Sequence, residues 1–254
     1  YATGKYMVGP CGTEYIEFTE IDGFNFIKFD GDDNALYGWT FNEDNNNWWS
    51  GAENLADALL ITNPYTVQAG DILSVPSIYD IEADWDFGFV QFSTDGGETW
   101  TSMSNENTTD VHHPNAHPDI IAQLPGITGA SGGELDLQFD LDDFITPGTE
   151  VIFGFRYMTD WAVLYTGWYI VEAYVNDTTL DLIPVYPEVD FQVDVVYRFE
   201  LCGNEFYIPM EMWQKDDETE FGVDFVISSS NVDVILVVSP TNEVGFVDYQ
   251  FKLC

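Results

Sequence analysis

The chain has 254 residues, six of them Lys or Arg and 45 of them Asp or Glu, which gives a formal net charge of −39 at pH 7. Hydrophobic residues still make up 45% of the sequence, so the chain can bury a core, which excludes a disordered acidic tail. A surface of one sign repels nucleic-acid phosphates and anionic lipids and excludes both as main partners. The same charge opposes compaction unless salt or bound cations screen it.

The N-terminal segment, residues 1–35, is extended in pattern and rich in aromatic residues. Its large apolar residues are Tyr15, Ile16, Phe18, Ile21, Phe24, Phe26, Ile27 and Phe29. We interpret this segment as the first strand of a sandwich domain. The alternative is an arm that adds a strand to the sheet edge of a neighbouring subunit.

Helical periodicity after this segment is confined to residues 52–60, which could also form a turn. The rest of the chain alternates with period two or runs apolar for a few residues between turn-forming clusters. The strand candidates are residues 72–78, 87–92, 151–157, 168–175, 191–199, 223–227, 232–238 and 246–251. Short strands of this kind predict an all-β sandwich. Because Pro184 and Pro187 mark the best linker, we predict a sandwich over residues 36–183 and a smaller C-terminal β module over residues 188–254.

The sequence also bears on where the protein works. No run approaches the ~18 consecutive apolar residues of a membrane helix, so we expect no direct membrane insertion. The chain begins at Tyr1, as a mature secreted product or an excised piece would. Asn-x-Thr triplets at Asn107 and Asn176 permit glycosylation outside the cell, although such triplets also arise by chance. We therefore expect an extracellular or cell-surface protein.

The three cysteines are Cys11, Cys202 and Cys254, and no Cys-x-x-Cys pair is present, which disfavours a zinc knuckle or a thioredoxin-type site. An odd number of cysteines is compatible with one disulfide and one remaining thiol. The alternative is a disulfide between chains of an assembly.

The most specific short motif is the Asp-box sequence over residues 93–100, Ser-Thr-Asp-Gly-Gly-Glu-Thr-Trp. We expect Asp95 to accept hydrogen bonds from backbone amides across a turn and Gly96 and Gly97 to adopt positive φ. We expect Trp100 to pack beneath the hairpin. The motif is thus a folding device, and its single occurrence disfavours a propeller built from repeated blades.

The sequence has no specific catalytic motif, and its 45 acidic residues guarantee carboxylate pairs of the glycosidase type by chance alone. His113 and His117 are four residues apart, but Pro114 and Pro118 break any helix and the Glu of a His-Glu-x-x-His peptidase motif is missing. A loop metal site that uses His112, His113 and His117 and a solvated loop are the two interpretations of this segment. No phosphate-binding Gly-rich loop and no nucleophile elbow is present.

The acidic clusters point to calcium, a hard cation that takes oxygen ligands from carboxylates and carbonyls. The candidate ligands are Asp30, Asp32 and Asp33 in one cluster and Asp80, Glu82, Asp84 and Asp86 in another. Asp142-Asp143 and Asp216-Asp217 are weaker candidates. None of these clusters has the spacing of an EF-hand, and a solvated acidic turn is the alternative for each. We predict that at least one cluster binds calcium.

A series of spaced motifs from about Trp48 to Val175 resembles a known family. In order they are Trp49-Ser50-Gly51, residues 57–60, residues 79–90, the Asp-box turn, residues 126–133, residues 139–141, residues 155–160 and residues 167–170. This region resembles the β-sandwich domain that follows the catalytic domain in immune inhibitor A-type secreted metallopeptidases. The resemblance implies a jelly-roll sandwich of the MAM-like or carbohydrate-module sort, often stabilised by calcium.

The resemblance does not extend to the peptidase, whose zinc motif this sequence lacks. The family usually continues Gly-Trp-Tyr-Ile with two aspartates, where this chain has Val171 and Glu172. Glu172 keeps one carboxylate, and the resemblance implies that it could be a calcium ligand. The C-terminal module after Pro187 has no comparable resemblance.

Three functions fit these observations. The first is a non-enzymatic structural protein, a calcium-stabilised subunit of a cell-surface layer, sheath or filament that self-associates by strand exchange. The second is an accessory region of a secreted metallopeptidase that binds substrate or carbohydrate, and the third is a carbohydrate-binding module. The expected partners are further copies of the chain or a surface polysaccharide or protein. We further expect Arg156 to pair with a carboxylate of the motif set.

Overall fold

The structure, a computed structural model, describes residues 3–9, 12–19, 26–210, 213–214, 220–224, 232–241, 245 and 247–253. This part of the chain is nearly all β, with one short helix, α1 (Pro118–Gln123), and a 3-10 turn at Leu141–Asp143. The strands of the first half are β1 (Thr3–Val8), β2 (Glu14–Phe18), β3 (Phe26–Gly31), β4 (Thr40–Asn42), β5 (Asn47–Trp49), β6 (Asp57–Thr62), β7 (Tyr65–Thr66), β8 (Ile72–Asp80), β9 (Phe87–Ser93) and β10 (Thr101–Ser102). The later strands are β11 (Leu135–Asp140), β12 (Glu150–Met158), β13 (Gly167–Ile170), β14 (Tyr174–Val175), β15 (Thr178–Thr179), β16 (Leu182–Val185), β17 (Phe191–Leu201), β18 (Asn204–Met210), β19 (Trp213–Gln214), β20 (Glu220–Asp224), β21 (Val232–Pro240) and β22 (Val247–Leu253). The predicted all-β sandwich is confirmed.

Of the two interpretations of residues 52–60, the helix is wrong, whereas a turn is present at residues 54–55. The chain makes a turn through Leu55, which has a φ of +56°, and then continues as strand β6. In β6 the buried residues are Ala58, Leu60 and Thr62, every second residue, so the local period is that of a strand. The segment is too short for the sequence alone to distinguish the helical period of 3.6 residues from the strand period of two.

The chain divides into two compact units, which we call the sandwich (Gly38–Val185) and the terminal unit (Tyr1–Tyr37 and Tyr186–Cys254). The change from one unit to the other lies beside the predicted linker at Pro184 and Pro187. Among the described residues, no helix is long and apolar enough to cross a membrane.

The sandwich consists of two antiparallel sheets. One has the strand order β10-β9-β12-β6-β16, with β7 beside β12, and the other has the order β15-β14-β8-β13-β5-β4, with β11 beside β8. The strands β6, β9 and β12 lie in the first sheet, and the strands β8, β11 and β13 that alternate with them along the chain lie in the second. This alternation between sheets is typical of jelly-roll connectivity.

Trp168 lies at the centre of the sandwich core. It is fully buried on β13, and its ring meets Phe155 of the opposite sheet edge-on at a centroid distance of 6.2 Å. Its indole N–H donates to Ser77 Oγ at 3.0 Å, so the polar atom of the ring is satisfied. Gly88 lies against the ring, and a Cβ there would come within 2.8 Å of it. The two sheets therefore close on one aromatic side chain.

The terminal unit contains a five-stranded sheet, β1-β22-β3-β20-β19, and a four-stranded sheet, β18-β17-β21-β2. Its core includes Phe29, Phe191, Leu236 and Tyr249, all buried. The N-terminal strands β1 and β3 both pair with β22, and β2 pairs with β21. The expectation that this segment is the first strand of the sandwich is therefore wrong, because it pairs with strands from the opposite end of the chain, and sequence periodicity does not identify distant partners.

Candidate cation site

Two loops of the sandwich meet at one end of the fold. Residues 81–86 connect β8 to β9, and residues 159–166 connect β12 to β13. Met158 pairs with Phe87 in one sheet, and Gly167 pairs with Asp80 in the other. Strand pairing in both sheets thus fixes the two loops beside each other, although they are far apart in the sequence.

Three carboxylates come together where these loops meet. One oxygen each of Glu82, Asp86 and Asp160 lies within 4.8 Å of the others. Asp86 is 1% exposed and Asp160 is 6% exposed, whereas Glu82 is half-buried. The backbone N–H of Asp160 donates to the Asp86 carboxylate at 2.7 Å, which joins the two loops directly. We call Glu82, Asp86 and Asp160 the carboxylate cluster.

Hydrogen bonds from neighbouring segments hold both loops in place. Thr128 Oγ donates to the carbonyl of Asp86 at 2.9 Å and accepts from the N–H of Asp84 at 3.1 Å. On the other side, the N–H of Leu55 donates to the carbonyl of Asp160 at 2.7 Å. The cluster is therefore built on fixed backbone, as a selective ion site requires.

The electrostatics of the cluster are unfavourable without a cation. Burial is the main cause that raises the pKa of Asp86, to about 7. The hydrogen bond from the Asp160 N–H lowers this pKa, whereas the nearby charges of Asp160 and Glu82 raise it further. Burial and the charge of Asp160 also raise the pKa of Glu82. Beneath them, burial and then the charges of Asp86 and Asp80 raise the pKa of Tyr157. Three oxygen ligands with uncompensated charge are the chemistry that calcium prefers.

Asp71, another buried carboxylate of the sandwich, shows what a satisfied site looks like. Its Oδ2 accepts from Tyr65 Oη at 2.9 Å and from the Gln68 N–H at 2.7 Å, and its Oδ1 accepts from Asn176 Nδ2 at 2.8 Å. Asp71 thus has neutral donors on both oxygens, whereas Asp86 faces two further carboxylates. Only the second arrangement groups three carboxylates that could hold a metal ion.

Two of the calcium ligands predicted from the sequence belong to the carboxylate cluster, and the others lie outside it. Glu82 and Asp86 belong to the cluster, Asp80 lies at the end of β8, and Asp84 is exposed in the loop with a φ of +67°. Glu172 is exposed and lies outside the cluster. Within the described residues the cluster is the one group of three such ligands, so Asp30, Asp32 and Asp33 form none among themselves. Asp216 and Asp217 lie outside the described residues.

Sequence reasoning missed Asp160 as a ligand. It is 74 residues from Asp86 in the chain, and only the strand pairing brings the two together. The available signal was its place at the end of the motif over residues 155–160, which belongs to the same series of family motifs as the segment that contains Glu82 and Asp86.

The Asp-box turn has the following geometry. Asp95 Oδ1 accepts from the Thr99 N–H at 2.9 Å and Oδ2 accepts from Thr99 Oγ at 2.6 Å. These bonds, with one from Ser93 Oγ, lower the pKa of Asp95 to about 2. Gly96 and Gly97 have φ values of +80° and +99°. Trp100 rests on Gly154 of β12, where a Cβ would come within 2.5 Å of the ring.

The three histidines do not form the loop metal site considered above. Within the described residues, no histidine belongs to a group of three potential metal ligands. His113 instead stacks on Trp85 at a ring distance of 3.9 Å, and His117 meets Trp161 edge-on at 5.2 Å. His117 also caps α1, since its Nδ1 accepts from the Asp119 N–H at 3.3 Å.

The remaining predicted residues lie elsewhere. Arg156 forms a two-pronged ion pair with Asp57, with both N–O distances 2.5 Å, which confirms the expected partner in the motif set. Cys202 is a free, exposed thiol in the turn between β17 and β18, while Cys11 and Cys254 lie outside the described residues. Asn107 is half-buried, and Asn176 is exposed, although its side-chain amide is bonded to Asp71 as described above.

Comparison with known proteins identifies the family to which the sandwich belongs. The family model described as "Immune inhibitor A-like, MAM domain" matches residues 24–180, well over half of the chain. No curated protein matches the chain. The match includes all three members of the carboxylate cluster and the Asp-box turn. The chain therefore belongs to the immune inhibitor A-like MAM domain family.

Proposed function

We propose that this chain is a non-catalytic, calcium-stabilised extracellular region that accompanies a secreted metallopeptidase and engages its polypeptide substrates. The family match supports the accessory role, because the matched domain is the MAM domain and not the catalytic peptidase domain. The same family occurs in secreted proteins, which supports an extracellular location.

The observation that carries the calcium part is the carboxylate cluster. Two of its members, Asp86 and Asp160, are almost completely buried, and the hydrogen bonds described for their carboxylates come from backbone N–H groups, those of Asp160 and Ala162, which carry no charge. Buried charges are strongly unfavourable unless they are paired or coordinate a metal. A calcium ion bound to Glu82, Asp86 and Asp160 would neutralise them and tie the loop before β9 to the loop before β13.

The composition of the sandwich supports the same proposal. Residues 38–185 contain 24 acidic residues and a single basic residue, Arg156, which is already paired with Asp57. Neutralisation must therefore come from outside this unit. Extracellular calcium sites tolerate weak affinity, because calcium is abundant there.

A surface-layer or filament subunit that assembles by strand exchange has less support. The N-terminal strands that could be exchanged are paired within the chain. Strand β18 ends its sheet among the described residues, but it contains Pro209 opposite Val196. In this hairpin, hydrogen-bonded and non-hydrogen-bonded residue pairs alternate from the two-residue turn at Cys202 and Gly203, and Pro209 falls in a non-hydrogen-bonded pair. Its nitrogen therefore faces the free edge of the sheet, and because proline has no N–H, the addition of another strand there is hindered.

The test is binding of this chain to an unfolded polypeptide. We suggest fluorescein-labelled lysozyme that has been reduced and carbamidomethylated, titrated by fluorescence polarisation with calcium and with EDTA. Native lysozyme is the control, since it has the same sequence charge but is folded. The proposal predicts binding to the unfolded form that weakens in EDTA. Absence of binding contradicts substrate engagement, and equal binding with and without calcium contradicts the calcium part.

A further inference from the structure

Exposed apolar side chains lie around the carboxylate cluster. They are large residues, each between 44% and 55% exposed, and they are Leu55, Trp161, Val163, Leu164 and Tyr165. Four of them follow Asp160 in the loop over residues 159–166, and the backbone of Leu55 is hydrogen-bonded to Asp160. Isolated exposed apolar residues are common on protein surfaces, but a group of this size on adjoining loops marks an interaction surface.

The backbone of these loops is held in unusual conformations. Leu55 has a φ of +56°, Asp84 of +67° and Val163 of +69°. Positive φ is rare for residues other than glycine, and for a branched residue such as valine it is a marked outlier. These are half of the six non-glycine residues with positive φ in the described part of the chain, and they fall in the three loops around the cluster. Strain of this kind concentrates at ligand-binding sites.

The charge around the apolar residues has one sign. Apart from the carboxylate cluster, the same three loops carry the exposed carboxylates of Glu53 and Asp84, and no Lys or Arg occurs there. Arg156, the single basic residue of the sandwich, is paired with Asp57. A ligand complementary to this surface has positive charge beside large apolar groups, and anionic lipid is repelled.

The same residues argue against a carbohydrate. Sugars stack on open aromatic faces, but one face of Trp85 is covered by His113 at 3.9 Å and an edge-on His117 approaches Trp161. Leu55, Val163 and Leu164 have no aromatic face to offer. Aliphatic and aromatic anchors next to carboxylates suit a polypeptide with basic and apolar side chains.

We propose that the loops over residues 53–56, 81–86 and 159–166 form the surface on which the sandwich receives a polypeptide segment that carries Lys or Arg beside large apolar residues. This inference rests on the proposed function, since it assigns the substrate-engaging surface and its chemistry. Leu55 and residues 161–165 supply the apolar contact, and the exposed carboxylates of the loops attract the basic side chains.

The experiment measures binding of a short fluorescein-labelled peptide that alternates lysine with leucine and phenylalanine. Two peptides separate the contributions: one has glutamate for every lysine, and the other has serine for every apolar residue. The test variant combines Trp161→Ser with Leu164→Ser. The control combines Tyr207→Ser with Ile208→Ser, which are similarly exposed on β18 of the terminal unit.

We expect the test variant to bind the lysine-containing peptide about tenfold more weakly than the wild type, because it lacks two anchor residues. The control variant should change the affinity for this peptide by less than about twofold. Both altered peptides should bind poorly to the wild type. Leu164→Lys alone is a second variant that adds a repelling charge without removing bulk, and it should also weaken binding.

The outcomes separate the inference from the proposed function. If the wild type binds neither the peptide nor unfolded lysozyme, the proposed function fails and the inference fails with it. If the wild type binds and both double variants bind equally well, the function stands and the surface assignment is wrong. If phosphatidylcholine vesicles or chitin oligosaccharides bind through Trp161 and the peptide does not, the polypeptide assignment is overturned.

Discussion

The sandwich and the terminal unit handle charge in different ways. The sandwich has 24 acidic residues against one basic residue, whereas the terminal unit has 21 against five. Among the described residues, all buried carboxylates lie in the sandwich: Asp71, Asp86 and Asp160. In the terminal unit, Arg198 pairs with both Glu17 and Asp233 at a partly exposed position.

The difference predicts which unit should depend on an external cation. The terminal unit uses its own basic side chains near its surface, and its described core is apolar apart from tyrosine. The sandwich places carboxylates inside and satisfies one of them, Asp71, with neutral donors. It leaves the carboxylate cluster without positive charge, so calcium binding should stabilise the sandwich.

The first prediction tests whether the sandwich and the terminal unit differ in how they accommodate charge and not in how well their cores are packed. Trp168→Ala in the sandwich and Phe29→Ala in the terminal unit should each lower the free energy of unfolding by about 3–5 kcal/mol, because each removes a fully buried aromatic ring. Urea unfolding followed by circular dichroism measures both. Trp161→Ala at an exposed site is the control and should cost less than about 1 kcal/mol. A small loss for Trp168→Ala would contradict its central place in the core.

The second prediction sharpens the contrast between the two kinds of buried carboxylate. In EDTA, Asp71→Asn should lose about 2–3 kcal/mol, because the amide presents a donor to groups that already donate. Asp86→Asn should be neutral or stabilising under the same conditions, because it relieves the repulsion within the cluster. Chemical unfolding of the two variants in parallel decides the point, and equal losses would remove the distinction between them.

The third prediction concerns pH. The unfolded carboxyl of Asp86 ionises near its ordinary pKa of 3.8, but the folded one ionises only near 7, so unfolding releases a proton in this interval. In EDTA the free energy of unfolding should therefore fall as pH rises from about 4 to 7, by on the order of 3 kcal/mol. Asp86→Asn should remove that part of the slope. A wild-type slope that the substitution leaves unchanged would show that other groups cause it.

The smallest expected effect concerns Arg156. Arg156→Gln should cost about 0.5–1 kcal/mol, because the ion pair with Asp57 is partly exposed, and high salt should reduce the loss. Arg156→Lys keeps the charge without the two-pronged geometry and should cost less. A loss that does not depend on salt would point to packing of the side chain rather than to its charge.

Local patterns in the sequence predict the strands and part of the site. Alternation identifies most of the strands, and the spacing around the Asp-box sequence identifies a turn. Glu82 and Asp86 stand out because they lie a few residues apart in one loop. At residues 52–60, a short apolar run fits both helix and strand, and only packing against β12 and β16 decides between them.

Contacts between distant parts of the chain could not be predicted in this way. Asp160 joins the cluster through the pairing of β9 with β12 and β8 with β13, and the N-terminal strands pair with strands more than 200 residues away. Such pairs depend on which apolar faces meet in three dimensions. A single sequence records the faces but not their partners.

The most direct test of the account is a calcium titration by isothermal calorimetry after treatment with EDTA. The wild type should show one saturable site that is lost in Asp160→Asn and kept in Asp143→Asn, an exposed control with the same change of charge. Calcium at about 100 times its dissociation constant should also raise the stability of the wild type by about 2.7 kcal/mol, with no such gain in Asp160→Asn. Absence of a saturable site, or equal binding by the wild type and Asp160→Asn, would contradict the assignment of the carboxylate cluster as a calcium site.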